Sequence, residues 1–150
     1  MIISERDDIA RVLTETRVIA VVGLSARVDR PSYGVAQFML ARGYRIVPVN
    51  PQYTEILGQP CYPRLSAIPF AVDMVDVFRQ PEHVLPVAEE AIAIGARCFW
   101  LQLGVIHQPA IALADAAGLK VVVNRCLKVD YAQLFGLCLV ENILSHNQKN

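Results

Sequence analysis

The run Arg17-Val18-Ile19-Ala20-Val21-Val22-Gly23 constrains this chain more than any other stretch. From Val18 to Val22 it is apolar and rich in β-branched residues, with no polar residue between. A strand with one wet face alternates apolar and polar side chains, so this one must be covered on both faces. Strands of that kind belong to parallel sheets, whose crossover connections are helices.

The rest of the chain supplies those partners in turn. Ser4 is placed to cap a short lead-in helix with Ile9, Val12 and Leu13 on one stripe. Residues 33–42 carry Val35, Phe38, Met39 and Leu40 at helical spacing, with Gly43 as a C-terminal cap. Arg45–Val49 is a second strand in which Pro48 marks an edge or strand-end position, and Asn50-Pro51 stops it. Residues 53–69, with Gly58, Pro60, Pro63 and Pro69, form a long connection with one short strand near Cys61-Tyr62. Strands are predicted at 71–78, 97–101 and 119–123, and helices at 82–94, 109–117 and 134–144. Asp73 and Asp76 alternate with apolar residues, which predicts a wet end or face for the third strand. The expectation is a Rossmann-like, doubly wound α/β domain with a mainly parallel sheet of five to six strands and helices on both faces. One domain is expected over 1–144, with 145–150 a disordered tail.

Composition narrows the function. Lys plus Arg equals Asp plus Glu at 14 each, so no general field attracts nucleic acid or an anionic membrane, and an anion site must be local. No apolar run reaches the ~20 residues of a membrane helix, and the acidic start is unlike a signal peptide, so a cytoplasmic protein is expected. Cys61, Cys98, Cys126 and Cys138 form no Cys-x-x-Cys pair and lie far from His83, His107 and His146, so no metal is expected. A hydrophobic content of 54% is high for one small domain and is compatible with a homodimer or an enzyme partner.

In a sheet of this type the ligand lies beyond the carboxyl ends of the strands. Those ends are Gly23-Leu24-Ser25, Asn50-Pro51, Phe78-Arg79, Gln102 and Asn124-Arg125-Cys126. The first is the most informative. Gly23 lets backbone approach a ligand, and Ser25, Arg27, Arg30 and Ser32 precede a helix start near Tyr33. A helix N-terminus with two arginines and two hydroxyls beside it suits a pyrophosphate. Alternatively, Ser32 only caps the helix. The Gly-x-Gly-x-x-Gly fingerprint is absent, and Asn50 stands where an NAD site wants an acid for the ribose hydroxyls. Tyr53, in the loop after the second strand, is placed to contact a ligand, whereas Trp100 reads as core.

Several of these segments resemble a known family. They are Val22-Gly23-Leu24-Ser25, Arg30-Pro31-Ser32-Tyr33, Gly43-Tyr44, Pro48-Val49-Asn50-Pro51, Gly58, Val77-Phe78-Arg79, Ala96 through Gly104, and Asn124-Arg125-Cys126. The chain resembles the small stand-alone CoA-binding domain proteins, relatives of the nucleotide domain of the succinyl-CoA synthetase alpha subunit, from about Thr16 to Phe135. The resemblance implies a Rossmann-like domain that binds coenzyme A or an acyl-CoA. It places the phosphates at Gly23, Ser25, Arg30 and Ser32, with Val49-Asn50-Pro51 and Val77-Phe78-Arg79 bordering adenosine and pantetheine. Synthetase chemistry needs a phosphorylated histidine from a further domain and a second subunit, neither of which this sequence carries, so the resemblance implies a ligand rather than a reaction.

Three readings of function follow. The first is a non-catalytic CoA or acyl-CoA module, sensor or carrier. The second is an NAD(P)-linked oxidoreductase or redox sensor, with Asn50 and nearby arginines taking a 2′-phosphate. The third is an acyl-transfer enzyme using Cys126, whose thiol pKa Arg125 and Lys128 would lower. His83 and His107 sit near predicted helix starts, where capping or a solvated role is commoner than catalysis.

Overall fold

The computed structural model describes residues 1–136. A lead-in helix α1 (Arg6–Glu15) precedes β1 (Val18–Val22), α2 (Pro31–Ala41) and β2 (Arg45–Val49). A small hairpin, β3 (Glu55–Ile56) and β4 (Gln59–Pro60), follows. The chain continues through β5 (Met74–Val77), α3 (Val84–Ala93), β6 (Cys98–Leu101), α4 (Gln108–Ala116) and β7 (Lys120–Val123). Residues 127–136 form a further helix, α5. The main sheet has five strands in the order β2-β1-β5-β6-β7, and every pairing in it is parallel.

Alternation along β1 explains its unbroken apolar run. Ile19 and Val21 pack with α1, α2 and α5 through Ile9, Leu13, Val35, Met39 and Leu127. Ala20 and Val22 face the opposite layer, where α3 and α4 contribute Val84, Ala88, Ala91, Ala110 and Ala114. The small residues on α3 and α4 let the two helices lie close on the sheet. Since β1 pairs with β2 on one side and β5 on the other, the crossovers diverge there. The carboxyl ends of β1 and β5 therefore flank the crevice where such folds take ligands.

β2 is an edge strand, as Pro48 predicts. The other edge, β7, is covered in part by the first residues: Ile3 N donates to Val121 O at 2.9 Å and Val121 N to Met1 O at 2.9 Å. Four local expectations are corrected. Glu5, not Ser4, is the N-cap of α1, and its side chain makes no capping bond. The 53–69 connection contains the β3–β4 hairpin, whose turn residues Leu57 and Gly58 have φ of 56° and 71°; Tyr62 only bridges to Val49. The third strand is shorter than 71–78, and its Asp76 is fully buried, whereas Asp73 before its amino end is partly exposed, so only the wet end is found. The last helix starts at residue 127 rather than Leu134, and its predicted end, Cys138, His146 and the 145–150 tail lie outside the described residues.

Candidate functional site

Gly23 fixes how closely the first loop meets β5. Its φ is +84°, and a Cβ there would sit 2.1 Å from Phe78 O, so only glycine fits. Gly23 N donates to Val49 O at 2.9 Å and Phe78 N to Val22 O at 2.8 Å, which ties the ends of β2, β1 and β5 together.

The loop is held by its own hydroxyls. Ser25 N donates to Ser32 Oγ at 3.0 Å, and Arg27 N donates to Ser25 Oγ at 3.1 Å. Pro31 starts α2 and Arg30 is its N-cap, so Ser32 lies inside the first turn. The reading of Ser32 as a helix cap is thereby replaced: its oxygen organises the loop, and the hydroxyl proton remains available.

Asn50 serves two loops with one amide. Its Nδ2 donates to Leu24 O at 3.0 Å, while its Oδ1 accepts from Gln52 N at 2.9 Å. An aspartate could supply only the second bond, because an ionised carboxylate accepts and does not donate.

These elements enclose a cleft of about 610 Å3 across the carboxyl ends of β2, β1, β5 and β6. Gly23, Ser25, Arg27, Arg30 and Ser32 line it from the first loop, Asn50 and Tyr53 from the second, and Phe78 and Arg79 from the third. Three arginines and no carboxylate line it. Arg27 has an exposed ion pair with Asp29 at 3.1 Å; Arg30 and Arg79 have none among the described residues. A net-neutral chain thus carries a local cationic site. Val49 and Pro51 line an adjoining cavity of about 270 Å3, which shares Gly23, Asn50 and Arg79 with the cleft.

Other predicted residues lie elsewhere. Leu24 is completely buried and Tyr33 half-buried in the α2-side core, so both support the loop from below. Gln102 is buried, and its Nε2 donates to Asp76 Oδ1 at 2.7 Å. Asp76 Oδ2 has no hydrogen-bond partner among the described residues, and burial pushes this carboxyl up to about 7. Gln102 O accepts from Val105 N at 3.0 Å, anchoring the loop that closes the cleft. Asn124 supports that loop too, its Oδ1 accepting from Gly104 N at 2.8 Å.

The fifth strand end is not brought into the cleft. Arg125 is turned to Asp130, with Nε to Oδ2 at 2.7 Å and Nη2 to Oδ1 at 2.9 Å, and this hydrogen bonding raises its pKa. Lys128 Nζ sits 5.4 Å over the Phe38 ring. Cys126 is half-buried against the α2-side core, and the expectation that it joins the site is corrected. Trp100 is core, with Nε1 donating to Arg125 O at 2.8 Å. His107 caps α4, its Nδ1 accepting from Ala110 N at 3.2 Å.

The sequence reading missed the arm Leu103-Gly104-Val105, together with Gln52, Gln80 and Pro81, all of which line the cleft. Gly104 directly after an apolar strand was the available signal for that arm. A cavity of about 400 Å3 also opens at the amino end of the sheet. It carries Glu15 and Asp73 beside Arg97 and Lys120, so it lacks the single-sign field of the cleft. Among the described residues no helix is long and apolar enough to cross a membrane, and no cluster of three or more His, Cys, Asp or Glu could hold a metal.

Comparison with known proteins gives this geometry a family. The chain is 39% identical over 125 residues to the uncharacterized protein YneT of Bacillus subtilis, covering 83% of this chain and 93% of that one. It is 27% identical over 122 residues to acetate–CoA ligase [ADP-forming] I of Archaeoglobus fulgidus, covering 74% of this chain but 18% of the ligase. A solved structure of a hypothetical protein from Pyrococcus horikoshii OT3 superposes with a TM-score of 0.87 at 37% identity, over 88% of this chain and 93% of that one. The family model of the CoA binding domain matches residues 17–132, from the start of β1 into α5 and across every loop of the cleft. The chain belongs to the CoA binding domain family.

Proposed function

We propose that this protein binds coenzyme A or an acyl-CoA in the cleft at the β1/β5 switch point, as a non-catalytic module, sensor or carrier. The observation that carries this reading is the cleft lining, with three arginines, Ser25 and Ser32 hydroxyls and no carboxylate. The N-terminus of α2 adds a partial positive charge to the same wall, with the Ser32 N–H beside it, since Pro31 has no N–H and the Tyr33 and Gly34 N–H groups donate to Arg30 O. A diphosphate meets such a wall with charge-assisted bonds. The neutral arm Leu103-Gly104-Val105 offers a pantetheine chain apolar contact and backbone carbonyl acceptors, the Gly104 and Val105 N–H groups being already engaged. Membership in the CoA binding domain family supports the same ligand.

Neither NAD nor acyl transfer through Cys126 gains from the geometry, and an NADP 2′-phosphate, which would meet the same arginines beside Asn50, is separated from CoA by the binding comparison. An NAD site wants a ribose-binding acid at the end of β2, and the cleft offers none. Acyl transfer through Cys126 needs the thiol at the ligand, and it lies outside the cleft. Calorimetry with CoA, acetyl-CoA, NAD and NADP, run side by side on the purified protein, tests the proposal. Saturable binding of the CoA compounds is expected, without binding of NAD. Saturable NAD or NADP binding with no CoA binding would overturn it.

A further inference from the structure

The cavity of about 400 Å3 lies at the amino ends of β5, β6 and β7, the far end of the sheet from the cleft. It falls within the roughly 300–1,000 Å3 of small-molecule sites. Its floor is apolar: Val12, Ala96, Cys98 and Leu119 are each at most 5% exposed, and no aromatic side chain among the described residues lines it. Helices α1, α3 and α4 all end on its wall, so the negative ends of three helix dipoles meet there. The four charged side chains of the wall are unequally engaged. Lys120 Nζ lies 3.9 Å from Glu15 Oε2. Asp73 uses only Oδ2, which accepts from Arg17 N at 3.0 Å and from Val18 N at 2.9 Å. Arg97 stands beside it on the neighbouring strand, its N donating to Asp73 O at 2.9 Å. Yet Asp73 and Arg97 form no ion pair with each other or with any other described residue.

An unengaged carboxylate oxygen and an unengaged guanidinium thus stand together over an aliphatic floor. A ligand of one charge answers only one of them. A molecule with an ammonium and a carboxylate on the same carbon, and an aliphatic chain beyond it, answers both and covers the floor as well. We infer that the cavity binds a free aliphatic α-amino acid, with its ammonium at Asp73, its carboxylate at Arg97 and its side chain on Val12, Ala96 and Leu119. The helix carboxyl ends favour the ammonium, and the planar fork of Arg97 suits the carboxylate through two parallel bonds. The cavity shares no residue with the CoA cleft, so its occupant is a second, separate ligand, and the inference stands independently of the CoA reading.

The test is calorimetry of the full chain with L-leucine, and with isocaproate and isoamylamine, which are leucine without its ammonium and without its carboxylate. The wild type is expected to bind leucine saturably and each single-charge analogue at least about tenfold more weakly. Arg97→Ala and Asp73→Asn should each weaken leucine about tenfold and leave CoA binding as in the wild type. Arg97 is exposed, and Asp73→Asn keeps an acceptor for the Arg17 and Val18 N–H groups, so both variants should stay folded, as melting temperatures will show. No saturable leucine binding overturns the assignment, as does an analogue that binds as tightly as leucine. Unchanged leucine affinity in a folded Arg97→Ala variant overturns it too. Displacement of leucine by CoA would place the amino acid in the cleft instead, which also overturns it.

Discussion

Asp76 offers a quantitative test of the site's support. Its carboxyl is completely buried in β5, one oxygen accepts from Gln102 Nε2 at 2.7 Å, and the other has no partner among the described residues. Burial raises its pKa from 3.8 to about 7, and the hydrogen bond from Gln102 lowers it only in part. The unfolded chain releases this proton near 3.8, whereas the folded protein keeps it until about 7. Between those values the folded state binds more protons, so stability falls as pH rises, and above about 7 the loss is complete. From about pH 5 to about pH 8 this one group should remove roughly 2–3 kcal/mol of unfolding free energy. For a chain of this size that is a drop of roughly 5–10 °C in Tm. Asp76→Asn keeps an oxygen for Gln102 and removes the titration. Its amide has no acceptor, which costs about 1–3 kcal/mol at every pH. Urea unfolding of both proteins across this range should therefore give a falling wild-type curve and a flatter variant curve, the gap closing toward pH 8. Parallel curves would refute the reasoning, because the slope would then belong to other groups.

Other perturbations follow from the same contacts. Gly23→Ala must place a Cβ against Phe78 O at positive φ and should destabilise by roughly 2–5 kcal/mol, seen as a lower urea midpoint at unchanged slope. Asn50→Asp loses the donor to Leu24 O and sets a carboxylate against that carbonyl; a loss of about 1–3 kcal/mol in stability and weaker CoA binding are expected by urea unfolding and calorimetry. Arg30→Ala should weaken CoA by roughly 1.5–3 kcal/mol and reduce the salt dependence of binding, and an unchanged affinity would remove Arg30 from the site. Cys126→Ser should leave CoA affinity unchanged, and intact mass after exposure to oxidised CoA should show no adduct that depends on Cys126.

The sheet was legible because its strands are buried on both faces and show it. Val18–Val22 has no polar interruption, and Pro48 can stand only where a backbone donor is dispensable, here the outer edge. The hairpin escaped because its turn uses Leu57 at φ 56°, where asparagine or glycine would have announced it. Asp76 escaped for a different reason. Alternation with apolar neighbours is the pattern of a half-wet strand, and what buries it is a central position in the sheet with a partner 26 residues away. The candidate site divides along the same line. Residues following β1, β2 and β5 were legible because the sheet geometry delivers those ends to one crevice. The end of β7 was expected there too, but it is separated from β5 by β6, and its arginine is folded onto Asp130.

Asn50 sharpens the reason for doubting NAD. From sequence, a neutral residue at the end of β2 merely lacks the charge that ribose hydroxyls prefer. In the fold, that position must donate to Leu24 O and accept from Gln52 N at the same time. A carboxylate there would open the first loop, the loop that Ser32 and Gly23 otherwise hold against β5. An acid is thus disfavoured by how the two loops close on each other, before any ligand is considered. The same closure keeps Ser25, Arg30 and Ser32 on one wall, so the residue that argues against NAD also organises the cationic surface that suits a diphosphate.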